Sequence, residues 1–241
     1  MPTRAVHQTE ALAWLEGNPA PAGASVVTSL PDVSELPGAT LEQWRAWFVD
    51  AARRVLRWLP AGGVAIFYQS DIRYRGAWID KGYLVMRAAE HEGASVLWHK
   101  IVCRAPPGTV ALGRPSYSRM IALAAAPRAP PGTVALGRPS YSRMIALAAA
   151  PRAPRGRPGP DVLPDAGAMS WSRAMGTTAC EVACRFLADE TDTRVIVDPF
   201  CGRGTVLAVA NSMGFDAVGL ELSAKRCRAA RALQHGAPHP T

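Results

Sequence analysis

Apolar and polar positions alternate with several different periods along this chain, and each change of period marks an element. Between Leu41 and Leu59, Trp44, Phe48, Ala51, Val55 and Leu59 recur on a helical period. They predict a long helix with one apolar face, ended by Pro60-Ala61-Gly62-Gly63. The period then vanishes. Val64-Ala65-Ile66-Phe67-Tyr68 is continuously apolar, as a strand buried on both faces should be. A helix over Lys81 to Glu92, stopped by Gly93, and a strand over Ser95 to Val102 follow. Upstream, Glu10 to Glu16 reads as a short helix closed by Gly17-Asn18-Pro19. Ser25 to Thr28 reads as a short β-rich run that stops at Ser29-Leu30-Pro31-Asp32. The C-terminal part gives a helix over Thr178 to Ala188 and a strand over Val195 to Asp198. A helix over Thr205 to Met213 ending at Gly214, a strand over Ala217 to Leu220 and a helix over Ala224 to Gln234 complete it. Strands alternating with helices predict an α/β fold, a mostly parallel sheet covered on both faces.

The middle of the chain breaks this rhythm. Residues 104–127 and 128–151 are identical, and the match continues through Arg152-Ala153-Pro154. Solenoid repeats vary in sequence and need several copies to share a core. Two identical copies read instead as a tandem duplication, with one copy surplus to the fold. The first copy follows strand Ser95–Val102 after the shorter connection. It is expected to supply the next strand, around Ser116 to Ala124, because shorter closure costs less entropy. A basic Pro/Gly linker, Arg155-Gly156-Arg157-Pro158-Gly159-Pro160, comes next. The expected organisation is one domain over residues 1–241. A first half (1–103) and a last half (161–241) are joined by the duplication and linker (104–160).

Composition narrows the classes. With 241 residues and 49% hydrophobic content, the chain can bury one sizeable core. No apolar run approaches the roughly 18 residues of a membrane span, and the N-terminus lacks the layout of a signal peptide. No membrane association is expected. Cys103, Cys180, Cys184, Cys201 and Cys227 are odd in number and lack ligand-like spacing, so reduced thiols, a cytoplasmic location and no metal are expected. A one-turn separation makes Cys180 and Cys184 helix-packing residues. The net charge of +8 suits a polyanionic partner, although the bias toward Arg, Ala, Pro and Gly also follows from a GC-rich gene.

Candidate chemistry lies in Asp198-Pro199-Phe200-Cys201-Gly202-Arg203-Gly204-Thr205 and in Glu221 beyond it. Glycines at 202 and 204 let backbone approach a ligand closely, and the helix starting at Thr205 offers free N–H groups. A dinucleotide site would want a third glycine where Leu207 stands. Glu221 closes the second strand, where a carboxylate accepts ribose hydroxyls.

This segment resembles the cofactor loop of S-adenosylmethionine-dependent amino-methyltransferases acting on DNA bases. In their permuted (beta) class the catalytic half precedes that loop, as it does here. Glu10-Ala11-Leu12-Ala13-Trp14-Leu15 resembles the family's Gly-Asp-Ala-Leu-x-x-Leu segment. Val26 through Asp32 resembles the strand ending in its catalytic Ser/Asp/Asn-Pro-Pro-Tyr motif, and Val96-Leu97-Trp98-His99-Lys100 its Ile-Ile-Trp-x-Lys strand. The resemblance implies a Rossmann-like class I methyltransferase sheet, circularly permuted, with S-adenosyl-L-methionine as cofactor. It implies cofactor contacts from Asp198, Phe200, Gly202, Gly204, Thr205 and Glu221, with Glu10 on the adenine side, and acceptor contacts from Ser29, Pro31 and Asp32. Glu10 is equally a helix-capping acid, and Ser29 and Asp32 are equally turn residues.

Two departures keep the acceptor open. Leu30 replaces the motif's first proline, and Asp32 replaces the aromatic that stacks on a flipped-out base. The interval between the halves also holds little beyond one strand, the repeat and the linker. That favours a nucleic-acid amino-methyltransferase reading structured RNA, or one whose target recognition comes from a protein partner, over a restriction-type DNA enzyme. A methyltransferase acting on a small molecule or protein, and a non-catalytic binding module with the same fold, remain alternatives. Tyr68, Tyr74 and Trp78 flank Asp71 and Arg73 in a loop after a strand, where core packing and a base-stacking rim are both open.

Overall fold

A computed structural model of the chain describes residues 1–106, 115–124, 159–171 and 174–236. The elements run β1 (Arg4–Gln8), α1 (Ala11–Gly17), β2 (Ala24–Thr28), a 3-10 turn (Val33–Glu35), α2 (Leu41–Trp58), β3 (Val64–Gln69), β4 (Ile72–Tyr74), β5 (Ala77–Ile79) and α3 (Lys81–His91). They continue β6 (Ser95–Cys103), β7 (Tyr117–Ala124), β8 (Val162–Leu163), α4 (Thr177–Glu190), β9 (Val195–Asp198), α5 (Thr205–Ser212), β10 (Asp216–Glu221) and α6 (Ala224–Ala232).

Eight described strands form one sheet in the order β1-β10-β9-β2-β3-β7-β6-β8. All neighbours are parallel except β7, which runs antiparallel to both β3 and β6. Along β3 the side chains alternate between two cores. Val64, Ile66 and Tyr68 join Ala179, Ala183 and Leu187 of α4 on one face. Ala65 and Phe67 join Trp44, Phe48 and Val55 of α2 and Leu84 and Val85 of α3 on the other. This two-sided cover explains the unbroken apolar run that marked β3 in the sequence.

The strand β7 comes from the first repeat copy, as the closure argument expects; the second copy lies outside the described residues. Cys180 and Cys184 are buried in the α4 core, and all five cysteines are free.

β1, the β4–β5 hairpin, the short strand β8 and the 3-10 turn were not anticipated, and the first two bear most on the site. β1 carries one buried residue, Val6, so it has no hydrophobic period. Backbone pairing to β10 holds it at the edge, and the Arg4 guanidinium donates to Asn211 Oδ1 at 2.6 Å and to the Ala230 carbonyl at 3.0 Å. The segment after β3, expected as a loop, is a β4–β5 hairpin. Its central residues Arg75 and Gly76 both have positive φ, +46° and +83°, the signature of a primed hairpin turn. Among the described residues Arg75 is the one non-glycine with positive φ, at a cost of about 1 kcal/mol.

Although far apart in the chain, β2 and β9 are neighbours in the sheet. From β9 the sheet continues to β10 and β1; from β2 it continues to β3 and the antiparallel strands. The direction of winding therefore reverses between β9 and β2. In open α/β sheets, ligands bind outside the strand carboxyl ends at such a switch point.

Candidate active site

A cavity of about 510 Å³ opens at this switch point. Both halves of the chain line it. Glu10, Ser29, Leu30, Pro31 and Trp47 come from the first half; Asp198, Phe200, Gly202, Thr205 and Glu221 come from the last.

The wall from the last half is built by local backbone geometry. Gly202 and Gly204 adopt φ of +54° and +83°, a left-handed conformation that side chains resist. Gly204 N–H donates to the Cys201 carbonyl at 2.8 Å, closing the turn. α5 then starts at Thr205 with its first N–H groups unpaired within the helix. Thr205 and Ser170 hydroxyls lie 2.6 Å apart. Glu221 Oε1 accepts from the Ser223 N–H at 2.8 Å, and its Oε2 lies 3.8 Å from Arg226. Arg226 in turn sits over the ring of Trp171, 5.4 Å from its centre.

Asp198 is buried at the seam. Its Oδ1 accepts from Thr28 Oγ1 at 2.6 Å and from the Phe200 N–H at 3.1 Å. Burial pushes its carboxyl up to about 7, and the nearby Glu221 carboxylate adds to the rise; the bonds from Thr28 and Phe200 offset part of it. The bond to Thr28 ties the end of β9 to the end of β2.

The wall from the first half is held from a distance. Trp44 Nε1–H donates to the Pro31 carbonyl at 3.1 Å. Lys81 Nζ lies 2.5 Å from Asp32 Oδ1, with both side chains largely buried. Trp47 meets Phe200 edge-on at 5.9 Å between ring centres. Among the described residues, Ser29 Oγ has no hydrogen-bond partner, and Ser29 lines the cavity.

Of the residues singled out in the sequence, eight line the cavity: Glu10, Ser29, Pro31, Asp198, Phe200, Gly202, Thr205 and Glu221. Two do not. Asp32 turns to Lys81 and opens the 3-10 turn at Val33. Gly204 packs against α6, where a Cβ would stand 2.8 Å from both Cα and Cβ of Ala230. Glu10 lines the cavity while capping α1, accepting from Leu12 N–H at 3.1 Å and Ala13 N–H at 2.6 Å. Trp47, Trp171, Met175, Leu222 and Arg226 also line it and carry no sequence motif. The signal available for Trp171 is a lone indole in a polar stretch. Trp47 is hidden in the apolar face of α2.

These residues suit S-adenosyl-L-methionine. The glycine turn leaves room at Gly202, where the nearest atom to an added Cβ is Trp171 Cζ2 at 3.9 Å, and Glu221 supplies an acceptor at the cavity wall.

No protein-family model matches the chain, and no curated protein sequence matches it. Solved structures do. A Thermus thermophilus protein assigned as a DNA modification methylase, complexed with S-adenosyl-L-methionine, superposes with a TM-score of 0.65 at 20% identity, over 95% of this chain and 92% of that one. The PvuII DNA methyltransferase, cytosine-N4-specific, gives a TM-score of 0.67 at 14% identity over 98% and 88%. The complex of M1.HpyAVI with S-adenosylmethionine gives 0.56 at 12% over 95% and 98%. These likenesses show the fold, a Rossmann-like α/β sheet shared with these structures.

Proposed function

We propose that the chain is an S-adenosyl-L-methionine-dependent methyltransferase of the permuted type that methylates an amino nitrogen of a nucleic-acid base, in RNA or DNA. The observation that carries this reading is the meeting, in one cavity, of the glycine turn with the Ser29-Leu30-Pro31 strand end.

S-adenosyl-L-methionine supplies an electrophilic methyl carbon on a sulfonium. Gly202, the α5 N-terminus and Thr205 would hold its methionine end, Glu221 its ribose, and Glu10 and Leu222 its adenine, all of them at the cavity wall. An exocyclic amine is a poor nucleophile because its lone pair is delocalised into the ring. Ser29 Oγ and the Leu30 carbonyl would accept its two N–H bonds and localise that pair for in-line displacement: the new N–C bond forms as the methyl–sulfur bond breaks, S-adenosylhomocysteine is the leaving group, and one amine proton passes to water. Ser29 is free to do so, having no internal partner among the described residues. Asp32 acts through its ion pair with Lys81, which fixes the turn, rather than on the acceptor. The five free cysteines fit a cytoplasmic setting. A protein partner supplying target recognition is compatible with the small interval between the halves.

A second reading, transfer to a small molecule or protein, draws on one observation. Asp32 offers no stacking face where the resembling family has an aromatic. One experiment separates the readings. Tritiated methyl transfer is measured from S-adenosyl-L-methionine into total RNA, total DNA and protein, against a Gly204→Asp control. Label in nucleic acid above the control supports the proposal. Label only in protein or small molecules supports the second reading, and cofactor binding without any transfer leaves a binding module.

A further inference from the structure

The β4–β5 hairpin presents a surface that folding does not use. Ile72 and Ile79 are cross-strand partners, and both are buried against the α2–α3 core. Arg73 and Trp78 are the next cross-strand pair, so they stand side by side on the opposite face. Arg73 is exposed, and Trp78 is 53% exposed. Arg75 occupies the strained tip, its guanidinium 5.5 Å from the centre of the Tyr74 ring. Asparagine or glycine would relieve that turn, so the hairpin geometry does not itself call for an arginine there. On α3, Tyr83 is 61% exposed, and Arg87 one turn later is also exposed.

Charge around the hairpin is one-sided. No acidic residue lies between Asp71 and Asp80. Those two acids are themselves held by Arg119, at 3.2 Å for Asp71. An indole next to guanidinium groups, with both flanking acids paired to Arg119, matches a base face flanked by phosphates.

The hairpin is also coupled to the cavity. It leads through Asp80 directly into Lys81, whose Nζ holds Asp32, the residue after Pro31 in the cavity wall. Both ends of this link sit at the carboxyl edge of the parallel strands, since β3 runs parallel to β2.

We propose, resting on the methyltransferase reading above, that the β4–β5 hairpin with Tyr83 and Arg87 binds the unpaired nucleic-acid strand beside the target nucleotide. Trp78 stacks on a base, and Arg73 and Arg75 pair with phosphates. The hairpin thereby supplies target contacts that the short interval between the halves lacks.

The test uses the full chain and a fluorescein-labelled, unstructured oligonucleotide of mixed sequence, prepared as RNA, as DNA and as a duplex. Anisotropy gives Kd, and tritium transfer gives KM. Trp78→Ala should weaken single-strand binding roughly 10-fold or more and raise KM, while Trp78→Phe keeps most of the affinity. Replacing Arg73 and Arg75 by Ala should flatten the log–log salt dependence by about 0.7 per arginine. Calorimetric binding of S-adenosyl-L-methionine should be unchanged in all of these. If the parent transfers methyl groups to nucleic acid but the variants match its Kd, KM and salt slope, the hairpin proposal is wrong and the enzymatic reading stands. Tighter binding to duplex, insensitive to Trp78, also overturns it. If the parent binds S-adenosyl-L-methionine yet labels neither RNA nor DNA, the nucleic-acid reading itself falls and takes the hairpin with it.

Discussion

On one side of the cavity, β9, the glycine turn and α5 are consecutive in the chain, and the turn closes through a bond between Gly204 and Cys201. On the other side, Ser29-Leu30-Pro31 is fixed by Trp44, 13 residues from Pro31, and by Lys81, 49 residues from Asp32. Thr28 reaches Asp198 across 170 residues. The glycine wall is thus specified by local backbone geometry, and the proline wall by side chains gathered from elsewhere. A change in the first should act through strain; a change in the second should act through packing and charge.

The largest effect is expected where strain and packing coincide. Gly204→Ala must hold a side chain at φ +83° and place its Cβ 2.8 Å from the backbone of Ala230. We expect a loss of about 4 kcal/mol in stability, from the left-handed conformation and the overpacking together. Calorimetric binding of S-adenosyl-L-methionine should be lost with it. Near-parental unfolding midpoint and affinity would mean that α6 yields easily, and that the glycine wall is less locally determined than the comparison holds.

Asp198 joins the two walls, and its titration reads the seam. Its folded value near 7 lies above the ordinary 3.8, so folding takes up a proton between those limits. Its contribution is therefore fully present below about pH 4 and is lost as pH rises through about 7, on the order of 4 kcal/mol. Asp198→Asn keeps an acceptor for Thr28 and Phe200 and should flatten this dependence in urea melts from pH 4 to 8. A parent whose profile is as flat as the variant's would show that the seam is solvated and the carboxyl unshifted.

The same contrast explains what could be read in advance. Gly202, Gly204, Thr205 and Glu221 form a short pattern with a backbone cause, and together with Asp198-Pro199-Phe200 before it the pattern was legible as a candidate loop. Ser29 and Pro31 were found at a strand end, but the direction of Asp32 was not legible, because Lys81 reaches it from the start of α3. Gly204 was legible as a required glycine yet not as one that faces α6. Trp47 and Trp171 had no pattern of their own: one sits in the apolar stripe of α2, and the other becomes a wall residue through Arg226. β1 escaped because an edge strand with one buried residue has no hydrophobic period. The β4–β5 hairpin escaped because its strands are short and its primed turn uses arginine where asparagine would have announced it.

On the proline wall, Lys81→Met removes the ammonium group beside the Asp32 carboxylate. Because the pair is mostly but not wholly shielded, about 2 kcal/mol should be lost, with kcat falling while S-adenosyl-L-methionine affinity holds. Combining it with Asp32→Asn should recover much of the stability, which a double-mutant cycle measures. Additive losses would show that the pair does not act as a unit. Ser29→Ala is milder. Its hydroxyl has no partner among the described residues, so the unfolding midpoint should not move. Transfer should drop about tenfold in kcat, the worth of one hydrogen bond. A stability change without a rate change would make Ser29 a turn residue only.

The smallest effect is expected from removing residues 128–151. Cutting there joins Pro127 to Arg152-Ala153-Pro154, the same residues that follow it in the parent, so the local sequence at the junction is preserved. β7 comes from the first copy and pairs with both β3 and β6, so the described sheet keeps every strand. The connection from β7 to β8 shortens to about a third of its length, which lowers the closure entropy by about 1 kcal/mol. The deletion variant should therefore match the parent or exceed it slightly in unfolding midpoint, with unchanged affinity for S-adenosyl-L-methionine. A clear loss of stability would assign packing to the second copy. A loss of cofactor affinity alone would be more telling, because it would place a third, duplicated region beside the two walls of the cavity.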